Sequence, residues 1–104
     1  MEIHDIEKLI NKETAVLLYF YNDNCAPCKM LRPKVQQLVE VDFPNIEFRL
    51  VNAEQNAALS AQFGIFASPT LLVYFEGKEY IRESKNISVS VLHDKIERIY
   101  NMVF

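Results

Sequence analysis

The run Ala15-Val16-Leu17-Leu18-Tyr19-Phe20-Tyr21 limits the possible folds of this 104-residue chain more than any other stretch. Seven consecutive apolar and aromatic residues are short for a buried helix and well suited to a strand. Successive side chains of a strand point to opposite faces, so an unbroken apolar run leaves neither face fit for water. A sheet built around this strand needs cover on both sides, and the rest of the sequence has to supply it.

The neighbouring segments supply helices. Residues 2–4 form a short strand in our reading, and Ile6, Leu9 and Ile10 then recur at the spacing of a short amphipathic helix. From Pro27 onward, Leu31, Val35, Leu38 and Val39 mark one face of a helix that ends before Pro44. Ile46, Phe48 and Leu50 alternate as in a strand running to about Val51. Asn56 to Phe63 is expected to be a helix, with Gly64 where a left-handed residue closes it. Thr70–Phe75 and Glu79 to about Arg82 make a hairpin that turns through Glu76-Gly77-Lys78. Ser88 caps a last helix whose Leu92, Ile96, Ile99 and Val103 share a face. The order (β)αβαβαββα predicts an α/β fold, a mixed central sheet flanked by helices on both faces. No repeat or Pro/Gly/Ser-rich linker divides the chain, so residues 1–104 are expected to form a single domain.

Composition excludes several classes of function. A net charge of −3 and the lack of a Lys/Arg cluster speak against a nucleic-acid surface. The apolar runs are far shorter than the roughly 20 residues of a membrane helix. The opening Met1-Glu2-Ile3-His4-Asp5 lacks the basic and apolar stretches of a secretion signal, so a cytoplasmic location is expected.

The chain has two cysteines, Cys25 and Cys28, three positions apart. A bridge this local constrains little chain, so the pair suits chemistry or a metal better than it suits a structural staple. It follows a buried strand and opens a helix, where unpaired N–H groups and the helix dipole favour an anion. A Cys25 thiolate at that point would be the attacking species, and Pro27 fits the first turn because its missing N–H is unpaired there anyway. Cys28, one turn deeper, is placed to resolve a mixed disulfide formed by Cys25. The pair could also be half of a zinc site or two inert core residues. Zinc usually takes four ligands, and the other soft candidates, His4 and His93, sit at opposite ends of the chain. Both histidines are read as surface residues and no metal is expected. Tyr19, Phe20 and Tyr21 are read as core. Phe66 either flanks a groove or fills the interior.

Cys25-Ala26-Pro27-Cys28-Lys29-Met30-Leu31, Pro33, Phe63-Gly64-Ile65 with Ser68-Pro69-Thr70, and Gly77 together resemble the thioredoxin family, in order and in spacing. The resemblance implies a thioredoxin fold and a protein disulfide oxidoreductase that needs no bound cofactor. It implies that Cys25 attacks, that Cys28 resolves, and that Pro33 kinks the active-site helix. It further implies that Pro69 is cis, with Ser68 pairing strand-like to a bound peptide beside Cys25, Ala26 and Pro27. The partners would be disulfide-containing protein substrates and a thioredoxin reductase or similar electron donor, with the chain a monomer. Two rival readings are a net oxidant or isomerase, and a thioredoxin-fold binding module with little turnover.

The departures from the family pattern are specific. Six residues before the first cysteine the family usually carries a buried Asp, and this chain has Tyr19; the family's partner Lys on the next strand corresponds to Leu50. A phenol of ordinary pKa about 10 is a poor base near neutrality. Losing both members is consistent, because either alone would be an unpaired buried charge. Asn24 replaces the family's Trp before the first cysteine, Asp23 disfavours a Cys25 thiolate, and Lys29 and Arg32 favour it.

Overall fold

The computed structural model describes residues 2–104. Its elements are α1 (Ile3–Lys12), β1 (Ala15–Tyr21), α2 (Ala26–Asp42), β2 (Glu47–Asn52), α3 (Ala57–Gln62), β3 (Thr70–Phe75), β4 (Lys78–Ser84) and α4 (Val89–Val103). The strands form one sheet in the order β2-β1-β3-β4. β1 runs parallel to β2, across the crossover helix α2, and antiparallel to β3, which pairs antiparallel with β4. This is the mixed sheet expected from the order of the elements.

β1 is the centre of the molecule, as its composition requires. Ala15, Leu17 and Tyr19 point into a core shared with Val35, Leu38 and Val39 of α2 and Leu92 and Ile96 of α4. Val16, Leu18 and Phe20 point the other way, against Ile6 and Ile10 of α1 and Leu59 of α3. Each of these large apolar side chains contributes about 1.5–3 kcal/mol by leaving water. β1 therefore ties both layers of helices to the sheet.

The predicted strand at residues 2–4 is not a strand. Ile3 already belongs to α1 and packs on the second core with Ile6 and Ile10, a spacing of i, i+3, i+7. Three residues gain less as a short added strand than as the first turn of a helix that has an apolar stripe to bury. Elsewhere the boundaries shift by a residue or two. α2 stops at Asp42 because Pro44 pushes Phe43 out of the helical region (φ −133°, ψ 61°). The hairpin turn is tighter than predicted. Lys78 already pairs with Phe75, leaving the two-residue loop Glu76-Gly77, both with positive φ (52° and 81°). That is the backbone hand which matches the twist of the flanking strands. The register then shifts between Val73 and Tyr74, a bulge that sequence alternation did not reveal.

Candidate active site

The turn out of β1 is organised by Asn22. Its side-chain oxygen accepts the Asn24 N–H at 3.0 Å and its carbonyl accepts the Cys25 N–H at 3.3 Å. Cys25 thereby becomes the N-cap of α2 in an extended conformation, with Ala26 and Pro27 filling the next two positions. Its Sγ accepts the Cys28 backbone N–H at 3.1 Å, the bond that a Ser or Asp makes at a helix start. An orphan amide and the positive end of the helix dipole thus converge on the Cys25 sulfur. Cys25 and Cys28 are joined by a disulfide, and Cys28 is the deeper of the two, 2% exposed against 8%.

Beneath the pair lies Tyr19, fully buried, whose hydroxyl donates to the Cys28 carbonyl at 2.9 Å. Burial pushes this phenol up to about 12, with Arg32 pulling partly the other way. Tyr19 is therefore a hydrogen-bond donor and not a base across the neutral range. By resemblance Tyr19 was expected at the place of the family's buried Asp, as a supporting residue of the site; its bond to the active-site helix was not foreseen, although a buried phenol needs a partner. In the parallel register Leu50 stands opposite Tyr19, and Leu71 opposes it from β3, so no charge from these strands meets it there.

The other predicted residues cluster around the dithiol on three sides. Ala26, Pro27 and Pro69 line one hollow, together with the exposed Met30 and the partly buried Leu31. The Ser68–Pro69 bond is cis. Among the described residues neither the N–H nor the carbonyl of Ser68 has a hydrogen-bond partner, although Pro69 O accepts from Lys85 N–H at 2.9 Å. Ser68 shares a second hollow with Asn22, Ile65 and Phe66. Phe66 is 91% exposed, which excludes the core role left open by the sequence. On the third side, Cys28 and Lys29 line a hollow of about 380 Å³ with Tyr21, Asn22, Asp23 and Arg32. Pro33 follows inside α2, where its missing N–H leaves the Lys29 carbonyl without its usual helical donor.

Residues 3–98 match the family model described as thioredoxin. The chain belongs to the thioredoxin family. The thioredoxin-like protein YdfQ of Bacillus subtilis is 28% identical over 97 residues, spanning 93% of this chain and 86% of the relative. The thioredoxin of Pyropia yezoensis is 31% identical over 72 residues, 69% of this chain and 67% of that protein. The X-ray structure of Fasciola hepatica thioredoxin superposes with a TM-score of 0.81 at 33% identity, covering 91% of each chain. The chain is thus a thiol–disulfide oxidoreductase of the thioredoxin fold with its redox pair at Cys25 and Cys28. Thioredoxin-fold proteins generally work with disulfide substrates and with reductases. No helix among the described residues is long and apolar enough to cross a membrane.

The two histidines stand apart from this site. His4 is exposed, as expected. His93, read as a surface residue, is half-buried, its ring 5.3 Å from that of Phe43. It also lies near Asp94, Glu97 and Asp42. Glu97 follows from i, i+4 spacing on α4, whereas Asp42 comes from the end of α2 and is visible only in three dimensions. Its pKa is raised, chiefly by the hydrogen bond to Asp94, with smaller contributions from the other carboxylates.

Proposed function

We propose that this protein is a net reductant of protein disulfides in the cytoplasm, with Cys25 as nucleophile and Cys28 as resolving thiol. The Cys25 thiolate attacks a substrate disulfide, forms a mixed disulfide and releases one substrate thiolate. Cys28, as its thiolate, then attacks the Cys25 sulfur. The internal disulfide forms, the second substrate thiolate leaves, and two electrons have passed to the substrate. A thioredoxin reductase or similar donor restores the dithiol, which would make the protein a carrier in electron transport and cell redox homeostasis. The chain needs no cofactor of its own for this, and acts as a single-domain monomer.

The observation that carries the reading is the N-cap geometry: the Cys25 sulfur receives the Cys28 N–H at 3.1 Å, while Cys28 lies one turn deeper. The unpaired Ser68 backbone beside cis Pro69 supports an extended peptide docking in strand-like fashion. The Ala-Pro dipeptide, close to the family's Gly-Pro, supports the reducing direction. The test is alkylation and trapping. In the reduced protein Cys25 should be modified first, Cys28→Ser should accumulate mixed disulfides, and Cys25→Ser should form none. Preferential labelling of Cys28, or trapping by Cys25→Ser alone, would reverse the assignment. Direction is tested by equilibrating the pair with a glutathione buffer. A potential near that of periplasmic or endoplasmic oxidants would argue for net oxidation. Steady-state reduction of a disulfide protein with a chemical donor separates an enzyme from a binding module.

A further inference from the structure

Resolution sets a proton problem that the attack by Cys25 does not. Cys28 must become a thiolate while almost completely buried, and burial raises a thiol's pKa. β2 and β3 offer Leu50 and Leu71 opposite Tyr19, neither of them titratable, and Tyr19 from β1 is a neutral donor to the Cys28 carbonyl. Among the described residues, the charged or titratable groups that share the lateral hollow with Cys28 are Tyr21 from β1, Asp23 from the following turn, and Lys29 and Arg32 from α2.

We propose that Arg32 is the positioning and charge-stabilising residue for resolution: its guanidinium holds the Cys28 thiolate, and the thiol proton leaves to water through the hollow that Arg32 lines. This rests on Cys28 being the resolving thiol. Three features favour Arg32 over its neighbours. Its guanidinium lies over the Tyr21 ring, 6.0 Å from the centroid, so its charge is held at the mouth of the hollow. Arg32 is half-buried, whereas Lys29 and Asp23 are exposed and better screened by solvent and salt. Arg32 also offsets part of the rise that burial gives the Tyr19 hydroxyl, which donates to the Cys28 carbonyl. The hollow, about 380 Å³, has room for several waters to carry the proton away. The step balances. The Cys28 S–H loses its proton to water, the Cys25–Cys28 bond forms as the Cys25–substrate bond breaks, and the departing substrate thiolate takes a proton from solvent.

The experiment is rapid mixing of the reduced full chain with excess 5,5′-dithiobis(2-nitrobenzoate), following release of the coloured thiolate against pH. The first phase, which depends on reagent concentration, reports attack by Cys25. The second, independent of reagent, reports resolution. In Arg32→Met the pH midpoint of the second phase should rise by about one unit, slowing resolution about tenfold near neutrality. The first phase should slow less than the second, because the Cys25 sulfur keeps the Cys28 N–H and the helix N-terminus. Arg32→Lys should recover most of the rate, because it keeps the charge. Thiolate absorbance of Cys28 in a Cys25→Ser background should show the same upward shift on adding Arg32→Met. An unchanged second-phase midpoint in Arg32→Met overturns the proposal, and so does an Arg32→Lys variant as slow as Arg32→Met. Cys28→Ser should lose the second phase. Its persistence there would overturn the assignment of Cys28 and the Arg32 proposal with it, an outcome distinct from failure of the arginine alone.

Discussion

Removing the Tyr19 hydroxyl separates its role as a donor from its role as core. Tyr19→Phe keeps the ring within the cluster of Leu17, Val35 and Leu71 and deletes only the oxygen that donates to the Cys28 carbonyl at 2.9 Å. A carbonyl has two lone pairs, and the ordinary helical donor to this one is the Arg32 N–H, so the loss is about 1 kcal/mol, near the mean for a single bond. For a chain of this size that is about 4–8 °C in Tm. Tyr19→Asp is a different perturbation. It removes a fully buried ring, which costs about 3–5 kcal/mol, and sets a carboxyl between Leu50 and Leu71. Most of a typical stability of about 5–15 kcal/mol would be at risk. In whatever fraction stays folded, the carboxylate should quicken resolution near neutrality, since it supplies the base that Tyr19 cannot.

Alkaline pH gives an independent check on the same residue. The folded phenol titrates near 12, above its ordinary value of 10, so its contribution to stability is complete below about pH 10 and is lost as pH rises through the folded value. One pH unit above the unfolded value the parent should have lost about 1.4 kcal/mol through this group, which the Tyr19→Phe variant cannot lose. The stability gap between the two should therefore close near pH about 11, while Tyr74, also raised by burial, contributes equally to both. Urea unfolding of the oxidised proteins at neutral and alkaline pH measures all of these quantities. A Tyr19→Phe variant with unchanged stability at neutral pH, or a gap constant up to pH about 11, would refute the hydrogen-bond and burial reasoning together.

Four further outcomes are expected. Gly77→Ala should lose about 1–2 kcal/mol in thermal unfolding because Gly77 has φ +81°, although an added Cβ would meet its nearest neighbour, Asn11, at an ordinary 3.5 Å. Glu76→Asn, at φ 52°, should gain about 0.5 kcal/mol. His93 should titrate above 6.5 by NMR, and Asp94→Asn should lower its midpoint; the favourable contribution of the charged ring is present at acidic pH and lost as pH rises through the raised value. Phe66→Ser should leave Tm unchanged, since the ring is 91% exposed, while raising KM for protein disulfides and leaving the rate with a small aromatic disulfide intact.

What the sequence revealed followed from how local each signal was. β1 was legible to the residue because seven apolar side chains admit one arrangement, and α4 because Ser88 and a four-residue apolar stripe bound it. The cysteine pair was legible because the strand, the N-cap and Pro27 lie within a dozen residues. The bulge in β4 was hidden, since a one-residue insertion leaves alternation intact on either side of it. Residues 2–4 misled because so short a segment has no period to measure. The Tyr19–Cys28 bond and the approach of Asp42 to His93 join residues 9 and 51 positions apart, and nothing local encodes such distances.

The parity of β1 links these pieces. Tyr19 and Tyr21 project to the face that carries α2, while Phe20 between them serves the opposite core. Hence whatever occupies position 19 lies under the dithiol, and whatever occupies position 50 meets it through the parallel register. With Tyr and Leu at those two positions, the floor of the site is a neutral donor on an apolar bed. A buried base there would need its own counter-charge, or pay the cost of standing alone. This chain has neither charge, so the charges that can act on Cys28 lie to the side, on the exposed turn and on the first two turns of α2. The stability of the core and the chemistry of the second thiol are consequently separable here. Substitutions at Arg32 should tune resolution with little cost to folding, whereas substitutions at Tyr19 cannot change one without the other.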